Sequence, residues 1–555
     1  MGAAIGWAFG PRARVTAIGL MGWLGVAGMA MAWQVPGEPL GQFDPQPGGA
    51  QVLTRGPIHE AFAEPLVYNP APNVVIQSPP PRTIIDEIPP AQKPYGADVE
   101  WIPGYWGWDD ERNNYIWISG IWRDIPPGRQ WVPGYWSQGD TGFAWTSGFW
   151  APTAGNGQFN YLPAPPPTQE AGPTSPQPGA NFAWAPGSWA WAENRYDWRP
   201  GYWFQAQQDW VWVPSTYVPT PSGYVYNDGY WDYSLARRGL PFAPVAFAPS
   251  VYGQQSYSYT PNYVLPVAGL LSSLFVRPSY GHYYYGDYYQ SSSLGARSGY
   301  VPWFGLQQDR IGYDPFYGSM SALNSGRPEW DRQIRDDYRD RIQNPSARPP
   351  ATFAGQRALL DQRQARGEDS RNHGFVQPLN QWAANNQANH RIVPVGEDHQ
   401  AELRRRQADL QGLREQRSRL ESQARMQPNV RPQEHPPQRL EMPRSPVVAA
   451  SAPRIQGQAL AAPPPHPAPA QHPNFQPTFA REPATIRLNP SQGNREPGRI
   501  EPPRQPGQPP RIEAPRPPPQ VEPPRPPVRV EPPREPRPPQ GEPKGEPKGK
   551  PGGPR

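Results

Sequence analysis

Between residues 99 and 233 the chain runs in short aromatic and β-branched bursts separated by polar turns. Tyr115-Ile-Trp-Ile and Gln130-Trp-Val are two of the bursts, and residues 109–114, 125–129 and 139–142 are the turns that follow. Such bursts between Gly, Pro, Asn and Asp clusters predict antiparallel hairpins. A second run of turns, at 192–195, 207–209 and 220–223, repeats the pattern. Farther on, Trp330, Ile334, Tyr338 and Ile342 recur every four residues and predict one amphipathic helix over 328–343. Pro328 suits its first turn and Asn344-Pro345 ends it.

One phrase, Trp-x-x-Gly-x-Trp, generates the bursts. It runs Trp101…Gly104…Trp106, Trp117…Gly120…Trp122, Trp131…Gly134…Trp136 and Trp145…Gly148…Trp150. After a gap come Trp184…Gly187…Trp189 and Trp198…Gly201…Trp203. Two degenerate copies follow, Trp212…Ser215…Tyr217 and Tyr226…Gly229…Trp231. First-Trp spacings are 16, 14 and 14 in the first block, then 14, 14 and 14. Fourteen residues make one strand and one turn, so each block of four units predicts a four-strand meander. In a regular strand, positions five apart face opposite ways. A bulge at the Gly, with Gly at positive φ, would bring both indoles to one face. Each Gly would also leave room for a neighbouring indole.

The expected fold is therefore mainly β: two four-strand antiparallel hairpin or meander blocks, a small β-rich module with one helix, and a long disordered Pro-rich half. The boundaries read as a signal peptide or uncleaved anchor (1–32), a Pro-rich spacer (33–98), repeat block one (99–152), a Pro/Gly linker (153–181) and repeat block two (182–233). A Tyr-rich module (240–345) and a disordered tail (346–555) follow. The Tyr-rich module carries strand-like runs at 245–247, 257–259 and 270–276 and a Tyr cluster at 283–289. In the tail, Leu403, Leu410, Leu413 and Leu420 suggest a helix over 397–425. Arg406 and Arg417 interrupt its seam, which favours a solvated helix over a coiled coil.

Composition sharpens this division. The 85 prolines among 555 residues are about three times average usage, and they crowd the second half. That half cannot bury enough apolar surface to offset its ordering entropy. The last 55 residues hold 11 Lys/Arg and 7 Glu, so they contribute +4 of the net +5. They favour extended polyproline II. With no cysteine, disulfides, thiolate chemistry and cysteine metal sites are excluded. Arg12 and Arg14 precede a charge-free stretch, residues 15–32, ending in a small-x-small cleavage pattern at Ala30-Met-Ala32. Cleavage there, or retention as a membrane anchor, are the two readings. Either implies export to the periplasm, cell envelope or surface.

The phrase resembles the WXXGXW repeat, also written YXWGXW, of exported bacterial proteins. The resemblance covers about a quarter of the chain and implies no established activity, so no catalytic residue follows from it. Ser215, Tyr217 and Tyr226 depart from the pattern.

Phosphate-loop, dinucleotide and nucleophile-elbow motifs are absent, and the eight histidines are scattered. We therefore expect no catalytic, metal or cofactor site. His282 reads as a neighbour of the Tyr cluster, and Asp109-Asp110-Glu111 as a solvated turn. The repeat blocks lack a basic face, which argues against nucleic acid. Gly104, Gly120, Gly134, Gly148, Gly187, Gly201 and Gly229 are expected to be structural. The tryptophans are first a core, as small sheets without disulfides require. The alternative is a set of flat stacking platforms for a wall polysaccharide such as peptidoglycan, with Trp106, Trp150, Trp189 and Trp231 as the edge candidates. The expectation is a non-enzymatic cell-envelope structural or interaction protein, whose partners would be an envelope polysaccharide or an envelope protein.

Overall fold

A computed structural model describes residues 49–449, apart from 97, 156, 291–293, 295–298, 369–373, 386–390 and 427–429. The export segment and the charged repeats of the tail lie outside these residues. The described part is mainly β, in many small antiparallel sheets.

The eight units form four hairpins. Residues 99–109 pair with 114–124, 129–138 with 143–152, 182–192 with 195–205, and 210–220 with 223–233. Each strand is broken at the two residues ending in the repeat Gly, or Ser215, so every hairpin carries two short ladders. The register does not slip across the break. Trp101 faces Trp122 in one ladder, and Trp106 faces Trp117 in the next. The break is thus symmetric, which corrects the expected one-residue bulge. None of the seven repeat glycines has a positive φ, which corrects that expectation too. Positive φ occurs instead in turns, as at Glu193 and Asn194 in the third hairpin.

Within a block, no ladder among the described residues joins one hairpin to the next; the first and fourth take strands from elsewhere, while the ladders of the second and third are two-stranded. Ile121–Asp124 pairs with Gly239–Pro241, and Asn114–Ile118 is followed by Val245–Phe247 and Ala50–Val52. Gly223–Asn227 pairs with Gln158–Leu162, which in turn pairs with Gln438–Glu441. Hairpins one, two and four share a core with the Tyr-rich module, through Trp106, Trp117, Trp131, Trp150, Tyr230, Phe275, Tyr283 and Trp303.

The expected spacer is part of this core. Ala50–Val52 and Gly56–Pro57 are buried strands, and Ile58 to Ala63 is buried throughout. Ile84–Glu87 pairs in parallel with Ser256–Tyr259. The linker likewise supplies the strand Gln158–Leu162, with Tyr161 buried. Proline marks these segments as extended, and extended chain can lie against a sheet as well as in solvent.

The helix expected over 328–343 is Pro328–Gln343, with Tyr338 buried against Phe275 and Tyr289. Ile342, its last stripe position, is exposed. Disorder was expected from residue 346, yet helices Phe353–Ala365, Leu379–Asn385 and Glu397–Gln423 follow. The longest buries Leu403, Leu410 and Leu413, and also Arg417 and Glu421. Arg417 Nε donates to Glu421 Oε1 at 2.9 Å, while Tyr135 and Tyr161 donate to the same carboxylate at 2.6 and 2.8 Å. The arginine that seemed to spoil the seam is the residue that fastens the helix to the second hairpin. Replacing Arg417 with Ala leaves Glu421 buried without its cation. Chemical denaturation should show a loss of about 3–5 kcal/mol.

Candidate functional site

The break recurs in all four hairpins. A strand that stops pairing for two residues leaves backbone N–H and C=O groups that need other partners. In the first hairpin, Glu87 from the parallel strand Ile84–Glu87 enters the break. Gly104 N–H donates to its Oε2 at 2.6 Å, and Gly120 N–H and Trp117 Nε1 donate to its Oε1 at 2.9 Å each. In the second hairpin the carboxylate is Glu60, which accepts from Gly134 N–H at 3.3 Å and Trp145 Nε1 at 3.0 Å. In the third it is Glu170, which accepts from Trp184 Nε1 at 3.1 Å and from Gly187 N–H. Three carboxylates from three segments outside the repeats thus enter three of the four breaks, bridging both strands in the first two and bonding the first strand in the third.

The cradle explains the glycine. A Cβ on Gly134 would lie 2.5 Å from the Trp145 ring and 2.6 Å from Glu60 Oε1. On Gly148 it would meet Glu60 Oε1 and the Trp131 ring, both at 2.6 Å. The first Trp of each unit therefore lies over the Gly of its partner unit, and the carboxylate lies beside both. Around this, cross-strand aromatic pairs hold ring centroids 5.1–5.7 Å apart in all four hairpins. Six of these pairs are edge-to-face and two tilted, and aromatic pairs of this kind add about 0.5–1.5 kcal/mol each beyond their burial.

The fourth hairpin tests this logic from within. Ser215 stands where the others have Gly, and no carboxylate among the described residues bonds to Gly229 N–H. The Ser215 hydroxyl meets Ser188 Oγ at 3.0 Å. Its side chain takes up space that a carboxylate oxygen fills elsewhere.

The carbonyl side of the break draws cationic and N–H groups. Arg417 Nη1 donates to Pro133 O and Ser147 O at 2.9 and 3.0 Å. Arg129 Nη2 donates to Asp228 O and Gly229 O, both at 3.0 Å. In the first hairpin His59 serves. Ala61 N–H donates to its Nδ1, so Nε2 carries the proton and donates to Pro103 O at 3.1 Å. Burial pushes His59 down to about 3, which keeps it neutral. Burial lowers Arg414 of the long helix, while Glu60 and Glu87 favour its charge.

His282 joins the same network. Its Nδ1 meets Tyr280 O at 2.5 Å, so Nε2 accepts from Tyr105 OH at 2.9 Å. Tyr105 OH in turn accepts Glu60 N–H. The acidic run at 109–111 is a turn with Asp110 and Glu111 exposed, and it is also tethered: Arg55 pairs with Glu111, Arg277 with Asp110, and Trp108 Nε1 donates to Asp110 at 2.7 Å. Among the described residues there is no group of acids and histidines placed to hold a metal. No described helix is long and apolar enough to cross a membrane.

Of the four candidate platforms, Trp106, Trp150 and Trp231 are buried and offer no stacking face. Trp106 sits under Tyr252 and Phe247, and Trp150 under the guanidinium of Arg123. Trp189 is half-buried, and its Nε1 donates to Pro167 O at 3.2 Å. The seven glycines hold the structural place expected of them through close approach. The glutamates were missed, because a lone Glu in a Pro-rich stretch carries no periodicity.

Comparison with known families fits this geometry. The sequence profile of the two-copy WXXGXW repeat matches residues 100–123, 131–151, 179–204 and 198–218. The chain carries the WXXGXW repeat. Three of these two-copy matches coincide with one hairpin each, so the hairpin, with its pair of units, is the natural module of the repeat. Nothing among curated proteins or solved structures matches the chain.

Two measurements test the cradle. Gly134→Ala should lose about 1–3 kcal/mol in denaturant unfolding because the added methyl overpacks the break. Ser215→Gly should lose less than about 1 kcal/mol, since it removes one small side chain whose hydroxyl bonds Ser188. Glu87 gives a pH signature. Burial raises it from 4.5 to about 7, against the three N–H donors that favour its charge. The folded chain therefore holds this proton where the unfolded chain has lost it. Relative to Glu87→Gln, the natural protein should lose stability as pH rises from 4.5 to about 7, then run level above that.

Proposed function

We propose that the chain is a non-catalytic structural and interaction protein of the cell envelope, exported by its N-terminal segment. In this reading the repeats form a rigid head and the Pro-rich tail a tether. One observation carries it: in three of the four hairpins glycine N–H and indole donors at the break are bonded to the chain's own carboxylates, and most of the repeat indoles are packed inside. A motif used up in this way builds a body rather than receiving a ligand. Its polar clusters, such as Glu60, Tyr105 and His282, are mutually bonded and buried, which supports a non-catalytic reading.

The polysaccharide reading keeps one place, the half-buried face of the third hairpin around Trp189. Sedimentation of the full chain with purified peptidoglycan and other wall glycans separates the two. We expect no retention, and loss of cooperative unfolding in Trp106→Ala and Trp150→Ala. Retention that Trp189→Ala abolishes without unfolding would establish stacking instead. Recovery of the chain from the cytosolic fraction would sink the export part of the proposal.

A further inference from the structure

The third hairpin is covered differently from the others. Its tryptophans, Trp184, Trp189, Trp191, Trp198 and Trp203, are all half-buried, whereas only Trp136 among the other repeat tryptophans is not fully buried. One extended strap, residues 163–177, lies against it. Tyr196 OH donates to Pro163 O at 2.6 Å, and Trp189 Nε1 to Pro167 O at 3.2 Å. Trp203 Nε1 donates to Ser175 O at 3.1 Å. Between these carbonyls Glu170 enters the cradle. Indole and phenol donors reading the carbonyls of a proline-rich chain are the chemistry of polyproline II recognition. Here a carboxylate pocket is added to it.

The strap is the loosest of the three carboxylate donors. Glu60 and Glu87 are buried, but Glu170 is half-exposed, and so are or more so all strap residues from Pro165 onward. A segment with few buried contacts opens at low cost. Its recognition pattern is Pro165-Pro-Pro167 with Glu170 three residues on. The sequence holds the same pattern once more, Pro517-Pro-Pro519 with Glu522 three residues on.

We propose that the third hairpin is a docking site for an extended proline-rich peptide that carries Glu three residues after Pro-Pro-Pro and displaces the strap. The peptide's glutamate replaces Glu170 on Gly187 N–H and Trp184 Nε1, and its proline carbonyl replaces Pro167 on Trp189. This is independent of the envelope reading, since it concerns one hairpin and one peptide chemistry.

The probe is a fluorescein-labelled decapeptide of residues 515–524, read by anisotropy. The protein is the full chain carrying Glu522→Ala, so that its own copy of the pattern does not compete. Adding Glu170→Ala frees the cradle and should tighten peptide binding by about tenfold or more, because the competing strap is weakened. Substituting Glu522→Ala in the peptide should cost about tenfold on the same protein. Should Glu170→Ala fail to unfold cooperatively, Glu170→Gln keeps the side-chain volume and should shift affinity the same way. Trp184→Phe should weaken the natural peptide while leaving the alanine peptide unchanged. Equal affinity of the two peptides overturns the proposal. So does equal affinity with and without Glu170, or no binding up to about 1 mM.

Discussion

A carboxylate from outside the repeats, held by a glycine N–H and an indole of the broken hairpin, is the interaction that ties three of the four hairpins into the fold. A ladder broken on both strands leaves buried donors, each costing about 1–3 kcal/mol if unmet. A buried carboxylate left alone is costlier still. In hairpins one to three each defect satisfies the other; in the fourth, Ser215 stands in for part of the carboxylate. This is why the units work in twos. In hairpins one and two, one Trp-x-x-Gly-x-Trp strand supplies half the cradle and the second supplies the other half in an unshifted register. Glu60, Glu87 and Glu170 are then constraints on where the non-repeat segments run, since each must thread its glutamate into a particular hairpin.

Polarity across the break follows from the same geometry. On one side N–H groups converge and call for an anion. On the other, carbonyls call for donors, met by Arg417, Arg129 and His59. The long helix Glu397–Gln423 therefore belongs to the repeat fold as much as the strands do. Its Arg417 serves the second hairpin directly, and Arg414 interacts electrostatically with Glu60 and Glu87. An apolar helix could cover the hairpins but could not complete them.

Much of the β architecture was legible in the sequence because it is written in local period. The turn positions, the helix Pro328–Gln343 and the role of Gly as a seat for a neighbouring indole all follow from residues within a few positions of one another. What was not legible depends on distant partners. Glu60 bonds Trp145 across 85 positions, and Tyr135 bonds Glu421 across 286. Composition misled in the same way. Pro-rich chain at 49–98 reads as solvent-exposed spacer, yet it supplies two of the carboxylates. Arg417 reads as a flaw in a leucine seam because its partners lie in a hairpin far back in the chain. The platform expectation failed at Trp106, Trp150 and Trp231 because sequence position within a block does not reveal which face another segment covers.

The fourth hairpin shows that the glycine and the carboxylate form one unit of design. Its register and aromatic pairing match the others, with Trp212 opposite Trp231 and Tyr217 opposite Tyr226. Yet one Gly has become Ser215, and its hydroxyl, meeting Ser188, takes over part of the break. Aromatic pairing alone is thus enough to set the hairpin, while the carboxylate ties it to a segment elsewhere. Hairpins one to three are each tied in this way, and the third is tied by the most exposed of the three glutamates. The three ties therefore differ in how deeply the glutamate is buried, although the repeat itself stays nearly constant.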